Sequence, residues 1–230
     1  MQRTLAKLRN GEQVTIVALG DSNTEQTWHT RDRLNWVGLL QQALFQTYGR
    51  NTARVINAGL CGDTAAQAIG RLDRDVLRFE PNMVIVAFGM NDAMLGPAGL
   101  ETHAAAIRTI VRTCRDRYDS DILLRTTTPM VPLLDPSRTD GAAPGREAPG
   151  MNQGLYTKRL VELAKELACP VVDHYTLWLA RRFDEYEREI PNTLSLYMSD
   201  AVHPGPDGHM AMFRELAPRF DVPPRFCWEA

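Results

Sequence analysis

Apolar residues fall along this chain in two alternating patterns. Short runs rich in β-branched residues occur at "VTIVAL" (14–19), "ARVINAG" (53–59), "MVIVAF" (83–88), "DILLRT" (121–126) and "PVVDHY" (170–175). Runs of this kind predict strands of a parallel sheet, buried on both faces. Between them, segments around 35–48, 64–79, 101–118 and 152–168, and a last one around 206–217, have helical periodicity. Strands alternating with helices form right-handed βαβ units whose helices cover both sheet faces. The expected fold is therefore α/β, a three-layer α/β/α sandwich. No repeat, low-complexity tract or linker divides it, so residues 1–230 are expected to form a single domain. One segment stands apart. "PMVPLLDPSRTDGAAPGREAPG", 129–150, is rich in Pro and Gly and follows the fourth strand. A connection this long inside an α/β domain reads as a loop over the sheet edge, expected here to wall a pocket and limit substrate length.

Composition narrows the class without changing the fold. The chain is 44% hydrophobic and 23% charged, which is ordinary for a soluble globular protein. A net charge of -2 offers no basic surface for nucleic acid. No apolar run approaches the roughly 20 residues needed to span a bilayer. "MQRTLAKLRNGEQ" lacks the apolar centre of a signal peptide, so a cytoplasmic location is expected. Cys61, Cys114, Cys169 and Cys227 lie far apart in sequence, with no CxxC or CxxH clustering. Reduced thiols are expected, with no zinc site and no cofactor.

The first strand ends in "LGDSNTE", 19–25. Ser22 and Glu25 have the spacing of a helix capping box. The residues that follow, "QTWHTRDR", lack the apolar recurrence of a core-facing helix. Ser22 instead sits at the carboxyl end of a strand, where open α/β sheets place their chemistry.

A serine attacks an acyl carbon only if a base takes its proton and donors meet the developing oxyanion. The tail segment "SDAVHPGPDGH" offers the base and its orienting acid. Asp200 and His203 are three apart, and Pro204 keeps His203 out of helical geometry. Alone, the pair reads equally as a turn former and a surface histidine. "NAGLCGDT" places Gly62 after the second strand, where its N–H can approach a substrate oxygen closely. Asp63 or Thr64 capping the next helix is the structural alternative. "FGMND" places the Asn91 amide after the third strand. Each motif by itself decides little, but together they fill every role of one acyl-transfer reaction. Of the remaining candidates, His174 is assigned to the fifth strand and His209 to the last helix, both structural. Asp21 and Asp92 are expected to pin loops, and Cys61 to fill a small buried space. Trp28, His29, Arg31 and Arg33 follow Ser22 and either line a pocket or form an exposed polar loop.

The four blocks "GDSNT", "NAGLCGDT", "GMND" and "DAVHP" resemble, in order, those of the SGNH hydrolases, also called the GDSL esterase family. The resemblance runs from residue 14 to about 217 and implies a flavodoxin-like five-stranded parallel sheet. It also implies Ser22 as nucleophile, Gly62 and Asn91 completing an oxyanion hole with the Ser22 N–H, and Asp200 and His203 as the rest of a triad. Asn23 stands where the name-giving motif has Leu. The G-x-S-x-G elbow of α/β-hydrolases is absent.

The function expected from this is a serine esterase acting through an acyl-enzyme on a small-molecule ester, with short acyl groups preferred, particularly acetyl esters of carbohydrates. A lysophospholipase or acyl-thioesterase with the same triad, and an acyltransferase, are the alternatives. A binding module that kept the fold would be expected to lack one of the five site residues. Oligomeric state is not legible.

Overall fold

The computed structural model describes residues 1–130, 149–187 and 196–223. Five parallel strands form one sheet: β1 (Val14–Gly20), β2 (Ala53–Gly59), β3 (Met83–Ala87), β4 (Asp121–Arg125) and β5 (Val171–Val172). Their order is β2-β1-β3-β4-β5. The helices are α1 (Gln2–Arg9), α2 (Trp36–Tyr48), α3 (Ala65–Ile69), α4 (Leu72–Asp75), α5 (Leu100–Tyr118), α6 (Pro149–Glu166), α7 (His174–Glu187) and α8 (Pro206–Leu216).

Alternate residues of each strand face opposite layers, which is why the strands read as continuous apolar runs. Ile16, Ala18 and Ile85 pack against Trp36 and Leu40 of α2, Trp178 of α7 and Phe213 of α8. Val17, Leu19, Val84 and Val86 pack against Ala68 of α3, Ile107 and Ile110 of α5 and Leu163 of α6. The fold is a three-layer α/β/α sandwich of flavodoxin-like strand order. Gly20 of β1 is in register with Gly59 of β2 and Ala87 of β3, so three strands end level. The chain leaves β1 towards β2 on one side and returns to β3 on the other, which opens a crevice at their carboxyl ends.

Four local readings change. The fifth strand is two residues long, and His174, assigned to that strand from the sequence, opens α7 instead. Asp173 is the reason: its Oδ1 accepts the Thr176 N–H at 3.1 Å, an N-cap bond that starts a helix. The helix expected over 64–79 breaks at Gly70 into α3, α4 and a 3₁₀ turn, Leu77–Phe79. α1 was not expected; it buries Thr4 and Leu8, and the Thr4 N–H and hydroxyl both donate to Asp121. Of the 129–150 loop, residues 131–148 lie outside the described residues, and α6 already begins at Pro149. No helix among the described residues is long and apolar enough to cross a membrane.

Candidate active site

Just past β1 the chain folds back on itself. The Asp21 carbonyl accepts the Thr24 and Glu25 N–H groups at 2.9 and 3.0 Å, and Asp21 Oδ1 accepts the Asn23 N–H at 2.9 Å. These bonds make a tight turn with no helix after it, so the Ser22–Glu25 capping box does not form. The turn lies directly on the end of β2. A Cβ at Gly59 would sit 2.2 Å from the Glu25 nitrogen, which is why that strand must end in glycine. Trp36 Nε1 holds the Asn23 carbonyl, and the Asn35 and Asn57 amides both hold that of Thr24. Ser22 is thus presented by a turn braced from α2 and β2.

The histidine arrives on a loop that braces itself. Gly205 N–H donates to the Tyr197 carbonyl and Ser199 N–H to the His203 carbonyl, each at 2.8 Å. Below it, Ala201 and Val202 pack on Met90 and Met130 from the ends of β3 and β4. Asp200 Oδ1 accepts the Val202 and His203 N–H groups at 2.7 Å, which aims the carboxylate back along the loop. His203 Nδ1–H then donates to Asp200 Oδ2 at 2.8 Å. That bond leaves Nε2 as an acceptor, and the Ser22 hydroxyl lies 3.0 Å away. Burial pushes the Asp200 carboxyl up, but the His203 ring and the two backbone N–H groups outweigh it and hold the group well below the usual carboxylate range. Asp200 is therefore an anion beside the imidazole at any pH near neutral.

Gly62 and Asn91 stand on the adjoining strand ends. Gly62 takes φ +75, a left-handed conformation that disfavours other residues. It is exposed at the turn after β2. Asn91 Nδ2 donates to the carbonyl of Asp63, the next residue, at 2.9 Å. One amide hydrogen thus locks Asn91 to the Gly62 turn, leaving the amide's second hydrogen for another acceptor. The same two loops are tied again where Asp92 Oδ1 accepts the Ala65 N–H at 3.1 Å. Asp63 is turned away to Arg71 Nε at 2.6 Å, and Thr64 caps α3 in a capping box with Gln67. Ser22, Asp200 and His203 are therefore joined in one hydrogen-bonded line, with Gly62 and Asn91 coupled to each other at the same sheet edge. Cys61 is exposed, contrary to the buried filler expected, because the turn that carries Gly62 carries it outward as well.

The sequence reading left His29 as one of several loop residues. In the structure it is buried and stacked on His203, ring centroids 4.0 Å apart and planes within 15°. Its Nδ1 lies 3.2 Å from Ser199 Oγ and 3.9 Å from Asp200 Oδ2. His29, Asp200 and His203 bring metal-ligand types of atom within 4.8 Å of one another. Nearly parallel rings, however, point their in-plane lone pairs side by side rather than at one centre, and both His203 nitrogens already have partners.

Behind the serine lies a buried polar layer. Burial raises the Asp21 carboxyl to about 6 against the pull of the Asn23 N–H and Arg125. It lowers the Arg125 guanidinium to about 10 despite Asp21 and Glu215. Arg125 lies over the Trp36 ring at 4.7 Å. Asn23, Thr24 and Arg125 line a small cavity there. His209, on α8, is lowered to about 3 by burial and then by Arg125, His29 and His203.

Comparison with known proteins places these residues in context. Over 84 residues the chain is 37% identical to the "Uncharacterized lipoprotein YqeF" of Bacillus subtilis, covering 35% of this chain and 32% of that protein. Over 95 residues it is 32% identical to "Esterase TesA" of Pseudomonas aeruginosa, covering 40% of this chain and 46% of the relative. The matches thus span less than half the length of these curated relatives. The crystal structure of Axe2, an acetylxylan esterase from Geobacillus stearothermophilus, superposes with a TM-score of 0.69 at 20% identity, over 94% of this chain and 98% of that one. This likeness concerns the fold. The model of the GDSL-like lipase/acylhydrolase family matches residues 18–211, a span from the last residues of β1 into α8 that includes all five candidate residues. The chain belongs to the GDSL-like lipase/acylhydrolase family.

Proposed function

We propose that this protein is a serine esterase that cleaves short-chain, chiefly acetyl, esters through an acyl-enzyme. The observation that carries the reading is the unbroken line from Ser22 Oγ through His203 to Asp200, assembled from residues 181 positions apart in sequence. Ser22 Oγ attacks the ester carbonyl while its proton passes to His203 Nε2, and Asp200 stabilises the imidazolium. The oxyanion is met by the N–H groups of Ser22 and Gly62 and by the second hydrogen of the Asn91 amide. As the carbon–oxygen bond of the alcohol breaks, His203 returns the proton to the departing oxygen. Water then attacks the acyl-serine by the same steps, releasing acid and restoring Ser22. Support for small acyl groups comes from the likeness to an acetylxylan esterase, and support for ester hydrolysis from the esterase among the relatives.

The test is an ester panel that varies acyl length from acetyl to octanoyl and alcohol from ethyl to sugar, run beside Ser22→Ala. Activity should be highest on acetyl or propionyl esters and vanish in the variant, whose circular-dichroism spectrum stays native. Highest kcat/KM on octanoyl esters would contradict the short-acyl reading and favour a lysophospholipase or thioesterase. A mixed alcohol and water acceptor in which the alcohol ester predominates would make the enzyme an acyltransferase.

A further inference from the structure

We infer that His29 is a positioning residue for the base, the ring that holds the His203 imidazole in place once acylation removes its bond to Ser22. The inference rests on the esterase reading above. In the resting site two bonds fix His203: Nδ1–H to Asp200 Oδ2 at 2.8 Å, and Nε2 to the Ser22 hydroxyl at 3.0 Å. Acylation turns that hydroxyl into an ester oxygen with no proton to give, so the second bond is lost. Deacylation is therefore the vulnerable step. Nε2 must take a proton from water while Asp200 alone holds the far side, and a single hydrogen bond leaves the ring free to tilt and swing about it.

His29 supplies the missing restraint. Its ring lies 4.0 Å from that of His203, centroid to centroid, with planes within 15°. A flat contact of this kind opposes tilting and does not depend on the state of Ser22. His29 is itself held from several sides. Its Nδ1 lies 3.2 Å from Oγ of Ser199, on the loop that carries Asp200 and His203. Trp28 stacks on it with centroids 3.9 Å apart and is 76% exposed, whereas His29 is buried. The 3₁₀ turn Trp28–Thr30 is braced in turn by Gln26, whose Nε2 donates to Thr30 Oγ1 at 2.7 Å and to the Arg33 carbonyl at 2.9 Å. Gln26 Oε1 accepts the N–H of Asn35, the N-cap of α2, at 3.2 Å. The wall behind His203 is thus anchored outside the loop that it steadies.

Two variants separate the ring of His29 from its polar edge. His29→Phe keeps the flat face and loses the nitrogens, whereas His29→Gln keeps a polar end for Ser199 and loses the face. Pre-steady-state hydrolysis of p-nitrophenyl acetate reads acylation from the burst of p-nitrophenol and deacylation from the turnover that follows. In His29→Gln deacylation should slow about 10-fold, the scale of one ring stack, so that acetyl-enzyme accumulates. There kcat and KM should fall together, with kcat/KM kept within about 3-fold, and His29→Phe should deacylate within about 3-fold of wild type. Equal slowing of both steps in His29→Gln would make His29 a general support of the loop and overturn the inference, as would unchanged kinetics. Rescue by Gln and not by Phe would overturn it too, giving the role to the Ser199 contact. If neither variant keeps a native circular-dichroism spectrum, Ser22→Ala decides, since it removes the same partner from Nε2. The His203 Nδ1–H proton resonance should stay sharp and slow to exchange in that protein, and its loss would show a ring that no wall holds. A wild type that forms no acetyl-enzyme would sink the esterase reading, whereas an acetyl-enzyme that decays alike in wild type and both His29 variants sinks the role of His29 alone.

Discussion

Asp200–His203 and Glu215–His174 are made of the same parts and set in different surroundings. In each, an imidazole Nδ1 faces a carboxylate oxygen. The first pair comes from one short loop at the sheet edge, with His203 and Asp200 side chains 13% and 23% exposed. The second joins α7 to α8, is 1% and 7% exposed, and its carboxylate also takes Trp178 Nε1 at 3.1 Å. Burial lowers the His174 imidazole against the pull of Glu215. A third contact, His103 Nδ1 at 2.9 Å from Asp92 Oδ1, is buried as well and beside Tyr156. A carboxylate beside an imidazole is therefore no signature of catalysis in this fold. What distinguishes the first pair is a partly open loop that points its second nitrogen at a serine.

Exchanging the two roles gives the largest expected effects. His203→Ala should lower kcat by about 10⁴-fold or more, the scale of losing one triad member, while the melting temperature stays close to wild type. His174→Ala should do the opposite. It leaves Glu215 buried with a lost hydrogen bond and should cost roughly 2–4 kcal/mol, or a Tm lower by about 5–15 °C, with activity per folded molecule retained. Thermal melts beside active-site titration separate the two. A His174 variant that folds normally but loses turnover would erase the distinction drawn here.

Asn91→Ala comes next. Its amide is proposed to meet charge that exists only after attack, so kcat should fall by roughly 10²–10³ with little change in KM. Because Asn91 Nδ2 also holds the Asp63 carbonyl, Asn91→Asp is the sharper variant. It keeps the size but loses both hydrogens, and should be at least as impaired. A rise in KM at constant kcat would assign Asn91 to substrate binding.

The smallest effect concerns acid stability and the layer behind the serine. His209 is held neutral with its value near 3, so its contribution to stability is complete above the unfolded histidine value of about 6.5 and is lost as pH falls from there towards 3. Asp21 works in the other direction. Its value is raised to about 6, so its contribution is complete below about 4 and is lost as pH rises through 6. Between pH 6 and 4 the two partly offset each other. His209→Gln should therefore lessen the loss of Tm on acidification, and Asp21→Asn should steepen it. Melts at pH 4, 5, 6 and 7 read both slopes, and parallel curves for wild type and the two variants would contradict the assignment.

The sheet was legible because strands buried on both faces leave continuous apolar runs, as Val14–Leu19 and Met83–Ala87 do. β5 was overread since "PVVDHY" is equally apolar, although Asp173 before His174 carries an N-cap signal that marks where the strand must stop. The break at Gly70 was visible as a residue and not as a consequence, because short apolar spacing persists across it. The meeting of Ser22, Asp200 and His203, and of Gly62 with Asn91, at one sheet edge was legible since each lies at a strand end or on the loop before the last helix. His29 was not. Its placement comes from a ring contact with a residue 174 positions away, and neither periodicity nor local spacing records such a contact. Cys61 was misread for a related reason, since the turn that fixes Gly62 also decides which way its neighbour faces.

The account turns on Ser22 being the group that His203 activates. Treatment with a fluorophosphonate, followed by intact-protein mass spectrometry and peptide mapping, reads that directly. Wild type should take one adduct, on Ser22, in step with loss of ester hydrolysis. His203→Ala should label far more slowly and Ser22→Ala not at all. An adduct on another residue, or a Ser22→Ala protein that still hydrolyses esters at the wild-type rate, would contradict it.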